Sequence, residues 1–513
     1  MSKNKKIEIS LKEKLEKALV PVEEQAYKIP NNWVWTRLGV IINIFRGLSY
    51  TKNDEVEDGF LVLRGNNLTD NGLIFLENIY VDEKIAKKGV EIKKDDVVLV
   101  ASTGSSKVIG RACIVEEDYK KTTIGAFLIL CRPKEIIAKN WVHYIFRTLR
   151  YRLYISEQAK GTNIKNIKNE YLENFSIPLS PLNEQKRIVE KLDFLFDKTK
   201  KAKEIIEEIK VDIENRKISI LDRAFKGILT SKWRNENKTS DIRELLKSIN
   251  DEKIKKWEED CLQAEKDGNR KPKKPIIREI EDMIVPVEEQ PYKLPDSWVW
   301  VRLREIINIF RGLSYTKNDE VEEGNLVLRG NNLTDNGLTF LENIYVDEKV
   351  AKKGVEVKKD DIVLVASTGS SKVIGRACIV EEDYKKTTIG AFLLLCRPKE
   401  TIVKKWVHYI FKTLRYRLYI SEQAKGTNIK NIKNEYLENF SIPLLPLEEQ
   451  QEIVRILDEV LENENKVKEL LELEERIDIL EKSILNKAFK GELGTQNNSD
   501  EPAIELLKEI LNK

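Results

Sequence analysis

Apolar and polar positions follow two different patterns along this chain, and each pattern predicts a different kind of element. Between residues 30 and 140, short runs of Val, Ile, Leu and Phe alternate with Gly, Asn and Asp turn signals, as in FLVLRG, DVVLVAS and AFLILCRP. Such runs favour a strand-rich α+β domain. From Trp141 the spacing becomes helical, with Val142, Ile145 and Leu149 on one apolar face.

A regular heptad seam follows Pro181. Its positions recur at alternating steps of four and three residues; they are Ile188, Leu192, Leu195, Thr199, Ala202, Ile206, Ile209, Ile213, Arg216 and Ile220. This spacing predicts a coiled-coil helix over 182–229, on the order of 70 Å long at about 1.5 Å per residue. A second seam from Ile453 to Ile484 loses one residue of phase, which overwinds a coiled coil locally without ending it. We expect the two helices to pair antiparallel; the alternative is that each packs on its own domain.

The chain repeats itself. Residues 20–185 return at 285–450 with 20 differences in 166 positions and no gap. The segments RGLSYTKNDEVE and ASTGSSKVIGRACIVEEDYKKTTIGAF occur twice, letter for letter. Outside this block, ILDRAFKGIL returns as ILNKAFKGEL, and IRELLKSI returns as AIELLKEI. The chain is therefore a tandem duplication, and whatever one unit does, the protein does twice.

Composition restricts the function classes. The 513 residues allow two to four domains, and 89 basic against 86 acidic residues neither require nor exclude a nucleic-acid partner. Five cysteines form no CxxC pair, which argues against a zinc module and a disulfide framework. Two histidines leave little imidazole for acid–base chemistry. Neither a signal-peptide core nor a membrane-spanning segment is evident, so we expect a soluble, cytoplasmic protein.

The strongest electrostatic signal lies in residues 141–169. Six basic residues and a single acidic residue occur there, with tyrosines interleaved, and the copy at 406–434 has the same numbers of basic and acidic residues. Basic, aromatic and amide groups on a helix followed by a Gly-containing loop suit DNA phosphates and base edges. The alternative is a merely solvated helix face. The DNA-contact candidates in this region are Arg147, Arg150, Lys160, Thr162, Asn163 and Lys165, with Lys412 in the second copy.

Further DNA-contact candidates lie in three turns. In the first copy they are Arg46, Lys52 and Asn53 in FRGLSYTKND, Arg64, Asn66 and Asn67 in LRGNNLTDNG, and Ser105, Ser106, Lys107 and Arg111 in ASTGSSKVIGR. The second copy has Arg311, Lys317, Asn318, Arg329, Asn331, Asn332, Ser370, Ser371, Lys372 and Arg376. Arginine can pair with guanine and asparagine with adenine. The alternative is turn chemistry, which is favoured for the asparagines.

Motifs of common catalytic classes are missing. GSSK at 104–107 does not match the phosphate-loop motif GxxxxGK[ST], and no GxGxxG opens a helix. The sequence also has no Asn-Pro-Pro-Tyr type tetrapeptide of the kind that amino-methyltransferases use. The acid pairs Asp82-Glu83 and Asp95-Asp96 have no second spaced acid in a strand context that would make a nuclease metal site. We predict no catalytic residue, no metal and no cofactor.

Four segments carry a resemblance to a known family. They are KIPNNWVWTRLGVI at the start of the globular block, GTNIKNI, the exit SIPLSPLNEQKRIVEKLD with its copy SIPLLPLEEQQEIVRILD, and ILDRAFKGILTSKWR. Together they resemble the specificity subunit of type I restriction-modification systems over nearly the whole chain. The resemblance implies two target recognition domains, each reading half of an interrupted double-stranded DNA sequence. It also implies paired helices that dock two modification (methyltransferase) subunits.

The same resemblance implies that the chain is not an enzyme. Methyl transfer from S-adenosylmethionine would belong to the modification subunits, and ATP-driven translocation and cleavage to restriction subunits, with no membrane partner. The open alternatives are a self-contained DNA endonuclease or methyltransferase, and a coiled-coil scaffold. The predicted segments are an N-terminal helix (1–20), target recognition domain 1 (21–181), a central coiled-coil helix (182–229), a charged, solvated helical linker (230–284), target recognition domain 2 (285–446), a C-terminal coiled-coil helix (447–493) and a tail helix (494–513).

The near-identity of the two copies predicts the form of the target. Antiparallel seams relate the repeats by a pseudo-twofold axis, so two nearly identical readers would face opposite DNA strands. We therefore expect an interrupted, nearly palindromic sequence, with half-site centres about one helical turn, ~34 Å, apart.

Overall fold

A computed structural model describes residues 10–69, 72–159, 164–334, 337–424, 429–462 and 466–513. The chain forms two compact units. The first unit comprises Met1–Glu207 and Leu470–Lys513, and the second comprises Glu208–Glu469. Each unit thus contains one globular domain, the beginning of the long helix that leaves it, and the end of the long helix from the other repeat.

The first unit contains the first globular domain. Its strands are β1 (Val34–Arg37), β2 (Ile42–Arg46), β3 (Glu55–Val56), β4 (Phe60–Leu63), β5 (Leu68–Thr69), β6 (Gly72–Leu73), β7 (Ile79–Val81), β8 (Val97–Val100), β9 (Ser102–Thr103), β10 (Ala112–Ile114), β11 (Thr122–Ile124), β12 (Leu128–Pro133), β13 (Lys165–Asn166) and β14 (Ser176–Leu179). The helices up to the exit are α1 (Leu11–Ala18), α2 (Leu38–Ile41), α3 (Glu83–Ala86), α4 (Trp141–Arg147), α5 (Leu149–Gln158), α6 (Asn169–Glu173) and α7 (Leu182–Phe225).

Two four-stranded sheets form the body of this domain. One is antiparallel in the order β10-β8-β12-β2, and the other has the order β11-β4-β7-β3 with β4 and β11 parallel. Successive residues of β8 point to different cores: Val97 and Leu99 pack with the helices, while Val98 and Val100 pack with the second sheet. Because β8 is covered on both faces, its sequence is a continuous apolar run rather than an alternating one.

The second unit repeats this architecture after the linker. Its strands are β15 (Val299–Arg302), β16 (Ile307–Arg311), β17 (Glu320–Val321), β18 (Asn325–Leu328), β19 (Leu333–Thr334), β20 (Gly337–Leu338), β21 (Ile344–Val346), β22 (Ile362–Val365), β23 (Ser367–Thr368), β24 (Ala377–Ile379), β25 (Thr387–Ile389), β26 (Leu393–Pro398), β27 (Lys430–Asn431) and β28 (Ser441–Leu444). The remaining helices are α8 (Ser231–Glu236), α9 (Ile242–Lys266), α10 (Ile280–Met283), α11 (Glu348–Ala351), α12 (Lys404–Lys412), α13 (Leu414–Gln423), α14 (Asn434–Glu438), α15 (Leu447–Glu462), α16 (Lys466–Phe489) and α17 (Ala503–Asn512).

The long helices pair antiparallel within the first unit. Thr199 Oγ1 donates to Glu481 Oε1 at 2.6 Å, and Lys203 Nζ lies 2.7 Å from Asp478 Oδ1. Residue numbers rise along α7 while those of its partners fall along α16, so the two helices run in opposite directions. Ile188, at the start of the predicted seam, is fully buried. Ile209, further along, is 39% exposed, so the seam is not covered evenly.

Both long helices end in the same glycine motif. In α7 the amide of Ile228 donates to Arg223 O (2.9 Å) and that of Gly227 to Ala224 O (3.2 Å), with Gly227 at φ 72°. Gly491 follows α16 with φ 75°. This Schellman geometry needs a left-handed residue, which glycine supplies at low cost. The glycine therefore ends α7 at Phe225, before the predicted boundary at 229.

The linker 230–284 differs from the expected solvated helix. The first turns of α9 are buried in the core of the second unit through Ile242, Leu246 and Ile249. The related tail helix α17 buries Leu507 and Ile510 in the core of the first unit. Charge density misled the prediction, because three apolar residues at helical spacing suffice to dock an otherwise polar helix.

Candidate nucleic-acid interface

A short two-stranded ladder brings together two segments that the sequence marks separately. In the β9–β13 pair, Lys165 lies opposite Thr103 and Asn166 opposite Ser102. The ladder is extended by the amide of Ile167, which donates to Ala101 O at 2.8 Å. As a result, the GSSK turn and the end of the basic segment occupy one edge of the first domain.

Four basic residues from separate parts of the chain meet at this edge. Lys165 Nζ donates to Ser106 Oγ at 2.6 Å. Arg152 reaches from α5 and donates to the carbonyls of Lys107 (2.8 Å) and Ile109. Arg46 Nη2, at the end of β2, donates to the carbonyl of residue 167 at 2.8 Å. We call Arg46, Lys107, Arg152 and Lys165 the first basic cluster.

Three cations of the cluster, Arg46, Lys107 and Lys165, have no acidic partner among the residues that the structure describes. The hydrogen-bond partners of Arg46 are an amide oxygen and a carbonyl, and that of Lys165 is a hydroxyl; none carries a negative charge. Lys107 is exposed, and in the part of the chain that the structure describes no carboxylate lies within ion-pair distance of it. Uncompensated cations on a fixed backbone edge suit an anionic partner such as a phosphate chain.

The second domain repeats the short ladder and the arginine contacts, and Arg311 at the end of β16 occupies the position equivalent to Arg46. Lys430 lies opposite Thr368 in the β23–β27 pair. Arg417 donates to the carbonyls of Lys372 (2.8 Å) and Ile374 (3.0 Å). We call Arg311, Lys372, Arg417 and Lys430 the second basic cluster.

The turn after β4 uses its asparagine for backbone geometry. Asn67 is 1% exposed; its Oδ1 accepts from the Arg64 amide and its Nδ2 donates to Ile74 O at 2.9 Å. Asn332 makes the corresponding bonds in the second domain. Because both ends of each amide are occupied inside the protein, we leave these two asparagines out of the interface.

The remaining polar residues of that turn are more accessible. Asn66 is exposed, and Arg64 is half-buried with Nη2 donating to Glu77 O at 2.6 Å. Arg329 and Asn331 repeat this placement. The side chains of Asn66 and Asn331 are exposed and keep their amide oxygens available to a partner, although Nδ2 donates to Glu77 and to Glu342, respectively. The side chains of Arg64 and Arg329 are partly committed to carbonyls.

Two arginines of the basic segment point into the protein. Arg147 lies 3.7 Å from Glu481 and its guanidinium covers the Phe196 ring at 4.4 Å. Arg150 bonds to Ser176 and stacks on Phe175 at 4.6 Å, and burial lowers its pKa. Their sequence context predicted DNA contact, but their contacts stabilise the domain and the helix pair. The position equivalent to Arg147 is Lys412, which is exposed.

The other candidates are distributed as follows. Lys52, Asn53, Lys317 and Asn318 are exposed in short 3₁₀ turns. Arg111 and Arg376 donate to the carbonyls of Leu68 and Leu333. Ser105, Ser106, Ser370 and Ser371 belong to the turns that carry Lys107 and Lys372. Lys160, Thr162 and Asn163 lie outside the described residues.

Arg152 and Arg417 were not among the candidates, although both belong to the basic segments. Alternation along LRYRLY does not distinguish Arg150, which points inward, from Arg152, which reaches the GSSK turn. The different roles of the two arginines become visible only in the structure, where α5 contacts that turn.

The acid pairs carry structural ion pairs. Asp96 is 1% exposed and binds Arg132, with Arg132 Nη2 at 2.7 Å from Oδ2. Among the residues that the structure describes, no three His, Cys, Asp or Glu side chains lie together as metal ligands would. Burial lowers the pKa of the His408 imidazole to about 3. None of the helices within the described ranges combines the length and apolarity needed to cross a bilayer.

Comparison with known proteins identifies the family. The family described as type I restriction modification DNA specificity domain matches residues 30–211 and again 295–475. The chain belongs to this family. The two matches begin within the two globular domains and extend into the long helices, so the family unit is the domain together with its exit helix.

Relatives of this family member cover almost the whole chain. The EcoKI specificity subunit of Escherichia coli (strain K12) is 24% identical over 93% of this chain and 92% of its own length. The StySPI specificity subunit of Salmonella potsdam gives the same three values. A solved chain described as "Structural basis underlying complex assembly and conformational transition of the type I R-M system" has a TM-score of 0.61, with 21% identity over 91% of this chain and 100% of its own. This likeness supports the fold.

Proposed function

We propose that this chain is the DNA-specificity subunit of a type I restriction-modification complex and carries no catalytic activity of its own. Each globular domain reads one half of an interrupted duplex sequence. The observation that carries the proposal is the basic cluster, in which each of two family-matched domains brings together the GSSK turn, an arginine from a helix and a lysine from a short strand. Methyl transfer and cleavage are performed by partner subunits.

Each basic cluster sets the register of a domain on DNA. Lys107 and Lys165 contact phosphates, while the exposed amide of Asn66 and its neighbours face base edges. Lys165 belongs to β13, so its backbone position is fixed by the ladder with β9. Fixed phosphate contacts allow nearby side chains to distinguish base pairs.

The target is a nearly palindromic, interrupted sequence. All candidate contact residues are identical in the two repeats except for Arg147, which is Lys412 in the second. Each unit also has the same composition: one domain, the start of its own exit helix and the end of the other repeat's helix. Equal readers select equal half-sites.

The long helices bind two modification subunits. The solvent side of α7 carries large apolar side chains: Phe194 is 61% exposed, Ile205 55% and Val211 57%. Exposed apolar residues of this size on one helix are typical of a protein-binding surface. Restriction subunits join through that assembly.

Salt dependence of DNA binding tests the proposal. The complex with a modification subunit is purified, its methylated sites are mapped, and binding to that duplex is measured over a range of salt. We expect Lys107→Ala with Lys372→Ala to weaken binding to all sequences and to lower the salt slope by about 2, one phosphate per domain. The control Lys255→Ala with Lys273→Ala removes the same charge from exposed positions of the linker 230–284 and should leave the slope unchanged. Binding without sequence preference, or activity of the chain alone with Mg²⁺ or S-adenosylmethionine, would refute the proposal.

A further inference from the structure

Each domain exposes one large aromatic ring at a turn between buried strands. Phe127, between β11 and β12, is 66% exposed, and Phe392 is 67% exposed at the equivalent position. Their neighbours Ile124 and Leu128 are fully buried. Leaving a phenylalanine ring in water forgoes about 1.5–3 kcal/mol of burial, so its exposure needs an explanation.

The backbone of this turn is rigid. The carbonyl of Phe127 accepts from the amides of Ala101 (2.8 Å) and Ser102 (3.1 Å). Behind the turn, Gly47 and Gly125 approach so closely that a Cβ on Gly47 would lie 1.9 Å from Gly125 O. The ring is therefore presented at a fixed position, at low conformational cost for a bound partner.

The second domain fixes Phe392 in the same way. Its carbonyl accepts from Ala366 (2.8 Å) and Ser367 (3.0 Å), and a Cβ on Gly312 would lie 2.0 Å from Gly390 O. Both copies of the turn thus expose the same ring.

The turn that carries Phe127 adjoins the backbone segments of the first basic cluster. Ser102, which donates to its carbonyl, is the residue that pairs with Asn166 next to Lys165. Gly47 donates to Leu128 O at 3.2 Å, and Arg46 directly precedes Gly47. The turn is therefore bonded to both backbone segments that carry these cations. An exposed apolar ring on a turn bonded to segments that carry cations suits a partner that is anionic outside and flat and apolar inside, and a DNA duplex has both properties.

We propose that Phe127 and Phe392 are stacking wedges, each of which enters the duplex beside the bases that its domain reads and unstacks one base step. This inference rests on the proposed DNA-reading function. Insertion of an apolar side chain costs unstacking energy, and the wider contact of the deformed duplex offsets that cost. It also adds a preference for easily deformed steps, which no hydrogen bond to a base would supply.

The test uses the mapped target duplex with 2-aminopurine placed in turn at each step of one half-site. Unstacking brightens this base, so the full chain should raise the fluorescence at one step. In the variant Phe127→Ala with Phe392→Ala we expect this signal to disappear and the affinity to fall roughly ten- to hundredfold. The salt slope should stay that of the unchanged chain, because no phosphate contact is lost.

Two further variants control the experiment. Leu262→Ala removes a similarly exposed apolar side chain, 61% exposed, from α9 and should change neither fluorescence nor affinity. Phe127→Trp with Phe392→Trp keeps a ring and should restore both, which also shows that the turn tolerates substitution. Retained fluorescence in the alanine variant would overturn the inference, as would a lower salt slope, since the ring would then only support the cations. If the unchanged chain binds no sequence specifically, it is the DNA-reading function itself that fails.

Discussion

Arg150 and Lys107 belong to the same predicted DNA-binding surface but meet opposite surroundings. The guanidinium of Arg150 is enclosed by Trp35, Phe175 and Ser176, whereas the ammonium of Lys107 is exposed on a turn. Sequence reasoning located the basic segment but could not assign its members, because a run of charges carries no information about which side chain a distant strand will cover. In the structure Arg150 stabilises the domain, whereas Lys107 is accessible to a partner.

This assignment predicts separable effects of two substitutions. Arg150→Ala removes charge-assisted bonds and two ring contacts, so it should lower the free energy of unfolding by about 2 kcal/mol or more. Lys107→Ala should change that free energy by less than about 0.5 kcal/mol, because surface substitutions of this kind rarely do more. Chemical denaturation of both variants measures the difference. Equal stability of the two variants would contradict the inward placement of Arg150.

His408 predicts a pH dependence of stability. Burial, with nearby Lys412 and Lys405, lowers the pKa of its imidazole to about 3, below the ordinary value of about 6.5. Below pH 6.5 this imidazole therefore binds a proton in the unfolded chain, whereas in the folded chain it stays neutral until the pH approaches 3. The contribution to stability is complete above pH 6.5 and is lost progressively as the pH falls towards 3.

The variant His408→Gln isolates this contribution. Between pH 7.5 and 5, the unchanged chain should lose about 2 kcal/mol more of its free energy of unfolding than the variant does. Denaturant titrations at the two pH values give the change in the free energy of unfolding for each chain. Because the two changes are compared, a packing defect that is the same at both pH values does not affect the result. An identical pH dependence in the two chains would show that this imidazole is protonated in the folded state.

At the scale of elements, one buried carboxylate anchors the start of each exit helix. Glu184 accepts from Trp33 Nε1 (2.8 Å) and from Thr495. Glu449 accepts the equivalent bond from Trp298, and in addition Arg234 Nη2 lies 2.8 Å from its Oε1. The motif Pro-Leu-x-Glu-Gln thus ties a domain, its own helix and the end of the other helix together.

The two glutamates should respond differently to the same substitution. Burial raises the pKa of Glu184 above that of the unfolded chain, so the folded state favours the protonated form and loses stability as the pH rises from the unfolded pKa through the folded one. Glu184→Gln should therefore be neutral or stabilising at pH 8. Glu449→Gln leaves the half-buried Arg234 without its counter-ion and should cost about 2–3 kcal/mol. Thermal unfolding of the two variants at pH 8 compares them directly, and equal losses would contradict the unequal role of the arginine.

Elements with a periodic signal were predictable, and those without one were not. The heptad seam placed the start of α7 at Leu182, and the AFKG glycine could have given its end. The pairing of β9 with β13 had no such signal, because each strand has two residues and they lie more than sixty residues apart in the chain. The sequence therefore indicated Lys107 and Lys165 as separate candidates. It gave no sign that Phe127 is exposed, because this residue begins an apolar run that is typical of a strand.

At the scale of the whole molecule, the duplication allows the sequence of one domain to be placed in the other and the effect on the target to be measured. Many of the 20 differences exchange apolar residues of similar size, such as Ile129 for Leu394. Others change polarity or charge, among them the pair Gly39-Val40 against Arg304-Glu305. Glu305 is 1% exposed and is paired with Lys253 at 2.8 Å, so its charge is compensated by the linker helix of its own unit.

A chain in which the first domain takes the sequence of the second should keep its target. The transplant changes 18 positions and retains Gly39 and Val40, since a glutamate at 40 would be buried in the first unit without Lys253. With identical readers, methylation mapping of the complex should return the same sites as the unchanged chain, with two identical half-sequences in inverted order. A direct repeat would refute the two-fold relation between the domains. A changed half-sequence would instead place base reading at one of the 18 positions, and reverting them singly would identify which.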